Sequence, residues 1–431
     1  MRKIILFPLY LALFSCDKHN DEFISTSAFN KVYGGSNGDF AHTLIKSADG
    51  GFVIGGWTSS DNGDFSGNHG DLDAWILKLD KSGEKEWLKM YGEFWNDLAF
   101  SIIPSSEGGY VMVGESNSDT TTVPYRFYDA WAVKLDKNGD TLWQKKLGGS
   151  GDDIANAVTA TPAGSYVMAG STISSDGDVG GHNGGDDVWI VKLNENGNII
   201  WQKTYGGAQV ESANAIVSTS DGGFIVAGHT TSNDGDVSGN HGSGLNQVDA
   251  LIIKLDKDGN KQWLKCLGGS GQDYGASIAT SLDGGYVMAG YTLSNDGDVT
   301  GNHGDYDVWV LKLSSNGDLL WQKALGGSGE DIASAITPVQ DGYVIAARTA
   351  SNDGNVTGNH GAEDAWIIKI DATGNLVWQK TYGGSKGDGG RSIITTSFGN
   401  YIMAGYTSSN DGDVSGSHGA EDAWVFTLTD Q

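Results

Sequence analysis

A chain of 431 residues with a net charge of -27 is a poor partner for nucleic acid or for an anionic membrane surface, and a better one for cations. Its 66 glycines against 5 prolines, with 10% aromatic residues, describe an ordered body with a large core and many tight turns, which excludes a disordered or collagenous chain. Length alone gives two or three domains, but an internal repeat overrides that expectation.

In chain order, residues 1–16 read as a targeting segment. Met1-Arg2-Lys3 is basic, Ile4 to Leu13 is apolar and too short to span a bilayer, and Leu13-Phe14-Ser15-Cys16 places a small residue before a cysteine. This resembles the lipobox of bacterial lipoprotein signal peptides, and the resemblance implies that Cys16 becomes a lipid-modified first residue anchoring the protein to a membrane. An ordinary secretory signal with an incidental Cys16 is the alternative. Residues 17–28 form a polar tether. Its opening, Asp17-Lys18-His19-Asn20-Asp21-Glu22, resembles the surface-export signal of Bacteroidota lipoproteins, which implies the outer membrane, facing outward. In enterobacteria the aspartate after the cysteine would mean retention at the inner membrane. The second cysteine, Cys266, has no partner.

Residues 29–431 repeat one unit seven times. Its Asp-Ala-Trp-like landmark falls at Asp73, Asp129, Asp187, Asp249, Asp307, Asp364 and Asp422. Each unit carries four strand-like segments between turn signals. In the fifth they are Ala276–Thr280, Gly285–Gly290, Val308–Leu313 and Leu319–Lys323. The first two are apolar on both faces and the outer two alternate with Lys and Gln, the pattern of a propeller blade. The expected fold is all-β, a seven-bladed β-propeller. The chain ends in a third strand, Ala423 to Leu428, and the segment from Phe29 to Gly35 matches the missing fourth, so the first strand is expected to complete the last blade and close the ring. A monomer is expected.

Tryptophans recur at an offset of twelve, as in Trp309 and Trp321, with a turn such as Leu135-Asp136-Lys137-Asn138-Gly139 between them. The pattern Leu-Asp-x-x-Gly-x-x-x-Trp resembles the tryptophan-docking repeat of quinoprotein dehydrogenases and of the BamB assembly lipoprotein. Those families usually have eight blades, and this chain has seven and no adjacent cysteine pair, so no quinone cofactor is expected. Aromatic rings packing blade against blade are the expected role of the pattern.

The loop between second and third strands carries the strongest chemical signal. Asp411, Asp413 and Asp422 fit D-x-D-x-S-G-x5-D, close to a calcium-binding EF-hand loop. Equivalent sets are Asn62, Asp64, Ser66 and Asp73; Asp176, Asp178 and Asp187; Asp296, Asp298 and Asp307; Asp353, Asn355 and Asp364; and Asp234 and Asp236 with a delayed Asp249. Six loops are therefore suited to one calcium each, the alternative being plain Asx turns. The second unit keeps Asp129 but has lost the loop motif. His69, His241, His303, His360 and His418 sit on different units and cannot share one zinc, so loop packing is expected of them. A ring of acids, Asp39, Asp97, Asp153, Glu211, Asp273, Asp331 and Asp388, precedes each first strand and reads as a turn or capping device.

A specific site is expected where the repeat breaks. One position per unit varies freely: Trp57, Glu115, Ser171, His229, Tyr291, Arg348 and Tyr406. Trp95 interrupts one acidic turn, and Tyr125, Arg126, Phe127 and Tyr128 replace the second unit's loop. Aromatics beside acids and arginine suit a glycan or a protein ligand, and filling gaps between blades is the other reading. Gly34-Gly35-Ser36-Asn37-Gly38 satisfies G-x-S-x-G but is an ordinary turn with no helix after it. The chain reads as an envelope lipoprotein acting as a non-catalytic binding module. The alternatives are a polysaccharide-degrading enzyme and a BamB-like assembly scaffold.

Overall fold

The computed structural model describes residues 28–117, 127–241, 247–397 and 399–430. Cys16, Tyr125 and Arg126 lie outside them. The structure is a seven-bladed β-propeller of four-stranded antiparallel sheets, with a single turn of 3-10 helix at Gly63–Phe65 among the described residues. In the fifth blade the strands are Asp273–Thr280, Tyr286–Thr292, Asp307–Leu313 and Leu319–Leu325. The second and third strands are buried throughout or nearly so, because neighbouring blades cover both their faces.

Ring closure follows the sequence expectation. Asn30–Tyr33 pairs antiparallel with Asp422–Thr429, in the register Asn30 to Phe426. In four other blades the third-strand indole donates to a glutamine on the fourth strand, as Trp309 Nε1 does to Gln322 Oε1 at 3.1 Å. In the last blade Asn30 takes the glutamine's part and accepts from Trp424 at 2.6 Å.

The tryptophan offset has a structural cause. Five of the six fourth-strand tryptophan rings lie on the turn glycine of the following blade, and the sixth, Trp378, donates its indole N–H to Asp430 at 3.2 Å. A Cβ at Gly317, whose φ is +83°, would sit 3.1 Å from the ring of Trp263, and the same holds at Gly139, Gly197, Gly259 and Gly374. The glycine supplies both the left-handed turn and the space for the ring. Phe29 covers Gly83 in the same way.

The first strands differ from expectation in one respect. They begin at the acids themselves, three residues earlier than the apolar pattern suggests, because each carries a β-bulge. The residue passed over in the pairing is His42, Phe100, Asn156, Asn214, Ala276, Ser334 or Arg391. An extra residue breaks period-two alternation, so the segment before it does not read as strand.

Candidate functional site

The acids form buried hubs. Asp273 accepts the Thr292 hydroxyl on one oxygen, and on the other the Ser294 hydroxyl at 2.7 Å and the Gly269 amide at 2.8 Å. Asp39, Asp153, Asp331 and Asp388 repeat this set, and Glu211 reaches the equivalent Thr230 and Gly207. Each hub ties the start of a blade's first strand to the end of its second. Burial raises the carboxyl pKa values of Asp39, Asp153, Asp273 and Asp331, that of Asp39 to about 6.

The D-x-D loops dock on the connection between blades. Asp296 Oδ1 accepts the Ser270 amide at 2.7 Å and Asp298 Oδ2 the Gly268 amide at 3.3 Å; Asp176 and Asp178, Asp353 and Asn355, and Asp411 and Asp413 do the same. Asn62 and Asp234 accept the corresponding amides of Ser36 and Ala208, Asp64 accepts that of Gly34, and Asp64 and Asp236 pair with Lys85 and Lys261. The histidines work within this framework. Asp307 Oδ2 accepts the backbone N–H and the ring Nδ1 of His303 at 3.0 and 2.6 Å, and Asp73, Asp249 and Asp364 hold His69, His241 and His360 alike. In the third blade Asp187 takes the amide of Asn183, and in the last Asp422 takes that of His418.

The acids of one loop are divided between two blade interfaces. Asp298 stands 3.8 Å from His241 of the preceding blade, while Asp307 senses Asp331 of the following one. Among the described residues no group of three His, Cys, Asp or Glu side chains is placed to hold a metal. The other oxygen of Asp73, Asp187, Asp249, Asp307, Asp364 and Asp422 is buried and has no hydrogen-bond partner. For Asp307 it lies where a Cβ on Gly326 would be, 2.5 Å away, so that glycine is required.

The repeat breaks down at the centre of the ring. A cavity of about 440 Å³ is lined by a residue from every first strand, all seven being the bulge residues: His42, Phe100, Asn156, Asn214, Ala276, Ser334 and Arg391. Tyr291, Arg348, Ile332 and Ala333 complete its wall. Three more of the sequence-predicted positions join it through these residues. Trp57 donates its indole N–H to His42 Nε2 at 3.2 Å, and packs on Phe40 with ring centres 4.3 Å apart. Tyr406 lies under the Arg391 guanidinium at 5.5 Å. His229 meets Tyr274, which stacks on Tyr291 at 4.8 Å. Ser171 and Glu115 hold the same strand position in neighbouring blades. The half-buried Trp95 belongs to an outer turn, its carbonyl against Gly70, and Tyr128 accepts a hydrogen bond from Asn96. Neither is among the residues lining the cavity.

The mouth is polarised. Arg348 pairs with Glu363 and stands 3.4 Å from Glu330. On the opposite blades burial, with Asp152 adding to it, raises Glu115 to about 7. Burial drives His42 down to about 3 and His229 to about 4, so both imidazoles are neutral. The bulge residues escaped the sequence reading; the available signal was that the third residue after each acid varies as freely as the position that was singled out.

No protein-family model matches the chain. A curated relative, the regulatory protein FlaEY of Caulobacter vibrioides, is 24% identical over 363 residues, which is 74% of this chain and 37% of that protein. The chain thus matches little more than a third of that relative's length. Among solved structures, the Pan2 WD40 domain of Neurospora crassa aligns over 91% of this chain and 89% of its own, at 10% identity and TM-score 0.50. What it shares is the propeller fold. The PQQ-bound aldose sugar dehydrogenase of Streptomyces coelicolor reaches a TM-score of 0.39 at 13% identity, covering 94% of this chain and all of that one. A propeller is compatible with a binding or scaffold role, and the fold by itself specifies no ligand.

Proposed function

We propose that the central channel is a ligand-binding site and that the protein is a non-catalytic binding module, held at the outer membrane through Cys16. The observation that carries this reading is a contrast. Hubs, docked tryptophans and loop turns repeat from blade to blade, whereas the channel positions carry His, Phe, Asn, Ala, Ser and Arg on a common backbone. Symmetry kept in the structural parts and dropped around one cavity is the arrangement expected of a site built for one asymmetric ligand. A cavity of this size, with aromatic faces and scattered amides and hydroxyls, suits one or two sugar rings. The test is a glycan panel read by tryptophan fluorescence and calorimetry: binding lost in Tyr291→Ala and kept in Trp95→Ala supports the channel, and the reverse refutes it.

A second reading has one observation in its favour. Glu115, protonated near neutrality beside Asp152, has the environment of a general acid. Reducing-sugar release abolished by Glu115→Gln would establish a hydrolase. Calcium at the D-x-D loops is no part of this reading, because backbone amides already occupy their carboxylates and the acids of one loop face two blade interfaces.

A further inference from the structure

Beyond its leader the chain contains three arginines, Arg126, Arg348 and Arg391, against 54 acidic residues, and two of the three converge on the channel. Their circumstances differ. Arg348 is matched by Glu363 and Glu330. Arg391, half-buried by exposure and on a bulge that aims it inward, has Tyr406 beneath it and no ion pair or hydrogen bond among the described residues, and its Nε is a buried donor without a partner. Glu363, the nearest source of compensation, is occupied by Arg348 and by the Tyr406 hydroxyl at 3.4 Å.

An unpaired guanidinium in a confined cavity is unfavourable unless an anion meets it, and a planar fork of donors fits a carboxylate in bidentate fashion. His42 adds to this. Its Nε2 accepts from Trp57, so the neutral ring carries its proton on Nδ1 and presents a donor. Asn156, Asn214 and Ser334 supply amides and a hydroxyl around the same space.

Resting on the binding-module reading, we infer that the channel takes an acidic saccharide, with a uronate carboxylate on Arg391 and the sugar ring against the aromatic wall. The chain's net charge of -27 opposes an anion, so the carboxylate has to be held by Arg391 itself, and removing that side chain leaves the acid no advantage over its ester.

The experiment is calorimetric titration of the full chain in detergent with the methyl glycosides of glucuronic and galacturonic acid, and with their methyl esters. The ester keeps the ring and removes only the charge. At least tenfold tighter binding of an acid than of its ester, falling below threefold in Arg391→Gln, is the expected result. Acid and ester bound alike, or a preference untouched by Arg391→Gln, overturns the inference. The acid–ester comparison on the unaltered protein stands even if the variant does not fold. If a neutral glycan binds in the channel, with binding lost in Tyr291→Ala, while no uronate does, the binding module survives and the carboxylate inference fails; if no glycan binds at all, both fail.

Discussion

Replacing Asp273 by alanine tests whether the buried acids hold the blades together. The substitution removes the acceptor for three donors, the Gly269 amide and the hydroxyls of Thr292 and Ser294. Each buried donor left unsatisfied costs about 1–3 kcal/mol. The two hydroxyls can rotate toward other acceptors and the amide cannot. Against this, burial raises the Asp273 pKa, so losing the charge returns part of a desolvation cost. A net loss of about 3 kcal/mol follows. With an unfolding entropy of roughly 2.1 cal/mol/K per residue over roughly 400 residues, the melting temperature falls by about 4 °C. Asp273→Asn is the control. Its amide oxygen can still accept from Gly269 while its nitrogen faces Thr292, whose oxygen also accepts, so the loss is about 1 kcal/mol. Differential scanning calorimetry at pH 7 measures both. An alanine variant melting within 1 °C of the unaltered protein, or an asparagine variant as damaged as the alanine one, refutes the hub.

In the first blade Trp75 Nε1 is buried without a partner where other blades offer glutamine, so Leu88→Gln is expected to stabilise by about 0.5–1 kcal/mol, while Leu264→Gln, in the fourth blade where Leu251 stands in place of the third-strand tryptophan, gains no partner and lowers stability; urea unfolding decides. Carboxyls raised by burial, among them Asp39 and Asp307 at about 6, bind more protons folded than unfolded, so their contribution is lost as pH rises through that window, and the melting temperature is expected to be higher at pH 5 than at pH 7.5; a flat or opposite profile counts against the burial. The same sign holds for His241, whose pKa is raised despite burial by its bond to Asp249. Amide partners already engage the D-x-D carboxylates, so chelation is expected to move the melting temperature by less than about 2 °C; a large fall, with five or six calcium ions bound, would instead establish the loops as metal sites.

The architecture was legible because everything that builds it recurs. Seven Asp-Ala-Trp-like landmarks, the Trp offset and the split repeat at the termini are one backbone geometry read seven times. The variable position after the second strand was legible too, as the place where recurrence stops. What stayed hidden was whatever depends on pairing between strands. The bulges at His42 and Arg391 disturb the alternation that strand reading relies on. The buried lysines were missed for the same reason. Lys78, Lys254, Lys312 and Lys369 look like solvent-facing residues of an alternating strand, yet each is buried and paired, at 2.7 to 3.0 Å, with Asp49, Asp221, Asp283 or Asp341. The loop acids fit a metal-binding spacing within one loop, but in space their partners belong to neighbouring blades.

The seam between Phe29 and Thr427 joins residues 398 positions apart. Six blades are each made from contiguous chain and can form as they emerge. The seventh cannot, since its outermost strand precedes the other six blades in the chain and its other three strands follow them. Until that late meeting, the edge of Asp422–Thr429 and the strand of Asn30–Tyr33 both expose unpaired backbone, the condition under which two copies exchange strands or aggregate. The folding rate of the whole ring is therefore governed by its least local contact. A tether fixing the first strand near a surface would keep it in reach of its own chain's last blade and out of reach of a neighbour's.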